Sequence, residues 1–97
     1  MADIAAIFGD NLVRMRRGAD MSQDELAVRC GIHRTEISQL ERGLRIPRLD
    51  TFAKICSSLE VEPAELMAGI VWRSARIEYG SFDPGVAQEA QDRSGNE

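Results

Sequence analysis

No stretch of this 97-residue sequence approaches the ~20 consecutive apolar residues that a membrane-spanning helix needs. The first residues, MADIAAIFGDNL, carry Asp3 where a secretory leader would be basic, so no signal peptide is expected. Cysteine is scarce. Cys30 and Cys56 both fall in apolar helical patterns, with no second Cys or His at metal-ligand spacing. That excludes a zinc module, calls for no metal, and leaves two small hydrophobes suited to a reducing cytoplasm. There is one histidine, no glycine-rich phosphate loop, and no nucleophile placed beside a base. The expectation is therefore a non-enzyme without a cofactor.

Positive charge is also in short supply, with a net charge of −4. Its distribution says more than its sum. Residues 14–48 hold eight arginines and no lysine against five acids, while residues 49–97 hold four bases against nine acids. The one basic stretch is thus made wholly of the side chain whose planar fork donates two hydrogen bonds at once to a phosphate or a guanine edge.

Residues 4 to about 18 read as an amphipathic helix, because Ile4, Phe8, Leu12 and Met15 recur on one face. Gly18 is the expected stop. Ser22-Gln23-Asp24-Glu25 has the form of a capping box, with Ser22 and Glu25 each expected to satisfy the other's amide. A short helix burying Leu26, Ala27 and Cys30 follows and ends at Gly31. A third runs from near His33 to about Glu41, with Ile37 and Leu40 inward, and Gly43 ends it. Leu49, Phe52, Ile55, Cys56 and Leu59 define a fourth, and Pro63 suits the first position of a fifth that closes near Gly69. From Ile70 the pattern breaks. Trp72, Ile77, Tyr79 and Phe82 read as an extended arm at 70–83, and 84–97 as a polar, disordered tail. Residues 1–69 are the expected domain.

Two short helices joined by one glycine-led turn are the geometry of a helix-turn-helix. It spans roughly Gln23 to Arg42, as QDELAVRCGIHRTEISQLER. Ala27 stands where the helices cross and only a small side chain fits. With the segments MSQDELAVRCGIHRTEISQLERGLRIPRLDTF and VEPAEL, the chain from about Phe8 to Met67 resembles the Cro/cI-type (XRE) regulators. The resemblance implies an all-α, five-helix, phage-repressor-like helix-turn-helix domain with a short extended C-terminal segment. It also implies a homodimer that binds double-stranded DNA and regulates transcription, as a repressor for example.

Carried over residue by residue, the resemblance implies that Gln23 donates to a phosphate and braces the recognition helix. His33, Arg34, Thr35, Ser38 and Gln39 form that helix's exposed face, with Arg34 suited to guanine, Gln39 to adenine and Thr35 to a thymine methyl. Arg42, Arg45 and Arg48 flank it near the DNA backbone, and Arg16 matches an ion pair to Glu41. Two departures stand out. Arg48 takes the N-cap position of the fourth helix, where Ser or Thr is common and arginine cannot cap. Glu36 puts a carboxylate on the recognition helix, with Arg29 and Arg34 the candidates to pair it. The competing reading is a protein-binding module of the same fold, an antitoxin or adaptor, acting through a partner protein. The basic composition around the third helix favours DNA. Segment 59–82 is the expected dimer contact, with Trp72, Ile77 and Tyr79 in core or dimer packing.

Overall fold

The computed structural model describes residues 3–74 and 80–82. They form five helices, α1 (Ile4–Gly18), α2 (Gln23–Cys30), α3 (Arg34–Glu41), α4 (Leu49–Leu59) and α5 (Pro63–Leu66), followed by strands β1 (Trp72–Arg73) and β2 (Ser81–Phe82). The strands pair antiparallel, with Trp72 opposite Phe82 and Arg73 opposite Ser81. No described helix is long and apolar enough to cross a membrane.

Local chemistry accounts for most helix ends. Asp3 caps α1, its carboxylate accepting from the amides of Ala5 and Ala6 at 3.1 and 3.4 Å. Helix α1 runs through Gly18 rather than stopping at it. Ala19 closes the last turn, and Asp20 takes the left-handed conformation at φ 57°. Ser22 caps α2 by accepting from the Glu25 amide at 3.0 Å. The return bond of the expected box does not form, because Glu25 Oε2 accepts from Arg29 Nη2 one turn on, at 3.0 Å. The reciprocal geometry occurs at α5 instead, where the Glu62 amide donates to Glu65 Oε1 at 2.8 Å. Gly31, at φ 70°, ends α2 as expected, and the Ile32 amide reaches back to the Ala27 carbonyl at 3.0 Å.

The core joins all five helices. Phe8 and Leu12 meet Leu26, Ala27, Ile37, Leu40, Ile55, Leu59 and Leu66, with both cysteines at its edge. Two α1 positions that the apolar periodicity passes over set the packing. A Cβ on Gly9 would lie 2.6 Å from the Leu40 carbonyl oxygen and 2.7 Å from that of Glu41. The glycine is what lets α1 lie against the backbone of α3. Asn11 is buried, and its Nδ2 donates to the carbonyls of Leu66 and Ala68, each at 2.8 Å. It satisfies the last turn of α5 from a helix 55 residues away in the chain.

Expectation and structure part at α4. Leu49 is 83% exposed, although the pattern assigns it to the helix's inner face. Its place is taken by Thr51, which is buried. Ile77, Tyr79 and the tail 84–97 lie outside the described residues. Trp72 stays half exposed and meets Phe82 edge-on, centroids 5.2 Å apart.

Candidate nucleic-acid interface

Helix α3 divides into two faces. Ile37 and Leu40 are fully buried, which turns Thr35 and Arg42 outward, with Ser38 and Gln39 partly exposed between them. His33 is the N-cap. Its Nδ1 accepts from the Thr35 amide at 3.1 Å, so Nε2 is the ring nitrogen left to meet a partner. His33 and Arg34 are exposed at the start of the helix.

The end of α3 is held rigidly. The Arg16 guanidinium on α1 donates through Nε and Nη2 to the Glu41 carboxylate, and through Nη1 to the Met21 carbonyl at 2.8 Å. Both side chains are nearly buried, at 11% and 4% exposure. The hydrogen bond to Glu41 raises the Arg16 pKa above its ordinary value against the opposing effect of burial. This is the interhelical ion pair implied by the resemblance. Gln23 joins it, donating through Nε2 to Glu41 Oε1 at 2.9 Å, so the side chain at the start of α2 touches the last residue of α3. One Nε2 hydrogen remains for another acceptor.

The remaining polar side chains form short-range pairs. Arg45 Nη1 donates to Gln39 Oε1 at 3.2 Å, drawing the loop after α3 over its exposed face. Arg34 Nε lies 3.3 Å from Asp24 Oδ1, across the gap between α3 and α2. Arg48 is the N-cap of α4 but makes no cap bond with its side chain, and pairs with Asp50 at 3.4 Å. Glu36 pairs with neither Arg29 nor Arg34, which are committed to Glu25 and Asp24. The arrangement brings Arg34, Thr35, Ser38, Gln39 and Arg45 together around α3, with Gln23 behind its end. Arg42 and Arg48 are exposed at its exit and beyond. Asp24 had been legible only as a helix-start acid; its pairing with a side chain ten positions away depends on how α2 and α3 cross.

Neither thiol has the environment of a reactive one. Burial raises the pKa of Cys30 and of Cys56, and Cys30 Sγ lies 3.4 Å from Ser58 Oγ. Among the described residues no group of three His, Cys, Asp or Glu side chains comes together to hold a metal.

This geometry defines a helix-turn-helix protein, and a helix-turn-helix family model matches residues 12–66. The chain belongs to that family, the XRE-type DNA-binding transcriptional regulators, whose members are regulators rather than enzymes. It is 41% identical over 66 residues to the control protein C.BamHI of Bacillus amyloliquefaciens, covering 67% of this chain and 82% of that one. The structure of the restriction-modification controller protein C.AhdI from Aeromonas hydrophila superposes with a TM-score of 0.62 at 34% identity, over 64% of this chain and 94% of that one. The biofilm regulator SinR, solved in complex with DNA, superposes with a TM-score of 0.59 at 26% identity, over 62% and 97%.

Proposed function

We propose that this protein is a cytoplasmic, sequence-specific transcriptional regulator that binds a pseudopalindromic operator as a homodimer. Each copy lays α3 in a major groove, and the two helices sit one turn of DNA apart, about 34 Å. The observation that carries the reading is the exposed face of α3. It offers Arg34, Thr35, Ser38 and Gln39, framed by Arg42, Arg45 and Arg48, on a helix whose other side is locked into the core. In this reading Arg34 and Gln39 read base edges, and Thr35 meets a thymine methyl. Ser38 lies against the groove wall, while Gln23, His33, Arg42, Arg45 and Arg48 meet the backbone. The likeness to two control proteins, one of them a restriction-modification controller, favours a regulator of that kind.

The homodimer has support in a second surface. Ile46, Leu49 and Met67 are 52%, 83% and 43% exposed. With Phe52, Pro63 and Phe82 they line an apolar groove of about 500 Å³. A monomer rarely leaves so many neighbouring apolar side chains in water, and a second copy covers them.

Selection of bound duplexes from a random pool at near-physiological salt tests both parts. An enriched inverted repeat supports the reading. A single unrepeated half-site overturns the homodimer, and no enrichment from folded protein overturns the DNA reading in favour of a partner-binding module. On the selected operator, Arg34→Ala is expected to cost about 1–3 kcal/mol and relax one base position.

A further inference from the structure

We infer that Asp24 is a specificity-determining residue, which aims Arg34 at a guanine without itself touching DNA. The inference rests on the DNA reading above. The Asp24 carboxylate, in the first turn of α2, pairs with the Arg34 guanidinium, its Oδ1 lying 3.3 Å from Nε as an ion pair without hydrogen-bond alignment. No other described group meets Arg34. A guanidinium offers five N–H donors in a fixed fork. With the acid nearest Nε, Nη1 and Nη2 have no partner among the described residues, and that pair of donors matches the O6 and N7 acceptors of guanine.

The placement sets Asp24 apart from the other acids of this surface. Glu25 pairs within its own helix, with Arg29 one turn on. Asp50 pairs with Arg48, two positions back in the chain. Asp24 alone among these three reaches from one helix of the motif to the other, so it restrains Arg34 from a fixed point outside α3. Both partners are largely exposed, at 55% and 77%, so the pair contributes little to folding. A carboxylate there also repels phosphate, which weakens every complex alike. Its place beside a reading arginine is accounted for by orientation: on random DNA the freed guanidinium would swing to a phosphate, and the pair holds it off.

The test compares the wild-type chain with Asp24→Asn, on the operator recovered by selection, on operators changed at each guanine in turn, and on random duplex. Asp24→Asn is expected to lower discrimination at one guanine position by about tenfold while binding random duplex as well as, or better than, the wild type. Glu25→Gln removes the same charge one residue away without touching Arg34. It is expected to strengthen all complexes by one factor and leave base preference unchanged. In an Arg34→Ala background, Asp24→Asn is expected to have no effect on base preference. If Asp24→Asn shifts operator and random duplex by the same factor, as Glu25→Gln does, Asp24 is only a repulsive charge and the inference is overturned. A wild-type chain that selects no sequence overturns the DNA reading and this inference together. A clear operator with base preference unchanged in Asp24→Asn overturns the inference alone.

Discussion

The two sides of this small domain are assembled by different means. In the α2–turn–α3 unit, each boundary is set by a residue within four positions of it: Ser22 starts α2, Gly31 ends it, and His33 starts α3. Where α1 meets the rest of the domain, the deciding contacts join residues far apart in the chain. Asn11 bonds to Leu66 and Ala68, and Gly9 lies against the backbone of Leu40 and Glu41. The difference suits the first unit to the DNA-reading surface proposed for it. A motif closed by local caps leaves its outer face free to vary, whereas the α1–α5 side commits polar groups to holding the chain together.

Substitutions sharpen that contrast. The largest effect is expected at the joint between the two sides. Glu41→Ala strands the nearly buried Arg16 guanidinium and removes the acceptor of Gln23, a loss of about 3 kcal/mol in denaturant unfolding. A loss under 1 kcal/mol would mean that α3 is held by apolar packing alone. Asn11→Ala comes next, at about 2 kcal/mol, because the Leu66 and Ala68 carbonyls lose their donor and a small cavity opens. Amide exchange should then rise in α5 and the arm before it rises in α2 and α3. Uniform exchange would erase the distinction between the two sides. Ser22→Ala is expected to cost only about 1 kcal/mol, the value of a single local cap.

The smallest native-state effect concerns the thiols. Burial raises the pKa of Cys30 and Cys56, so folding favours their protonated form. This contribution is complete below the unfolded thiol pKa and is lost as pH rises through the folded one. Alkylation of the native protein near pH 7 should therefore be slow at both cysteines. Fast labelling at Cys30 alone would show that α2 and α4 separate readily.

The apolar groove deepens the comparison. Ile46 and Leu49 follow α3 directly in sequence, yet they line the same groove as Pro63, Met67 and Phe82. Leu49 looked like a core residue because helical periodicity counts spacing alone. The crossing of α4 turns Thr51 inward and leaves Leu49 outside. The end of α4 had no sequence signal either. Glu60 takes the left-handed conformation at φ 57°, a place where glycine would have been the expected mark.

Sequence by itself determined the motif: two short helices around Gly31, the inward Ile37 and Leu40, the outward polar face and the concentration of arginine near it. These are readable because caps, glycine turns and helical spacing act over a few residues, where chain order and spatial order coincide. Only the tertiary structure decided that Gly9 is a contact point, that Asn11 closes α5, that Gln23 meets Glu41 and that Asp24 meets Arg34. Each joins positions whose separation is set by how helices cross, and a crossing angle is a property of the packed core that no local spacing encodes.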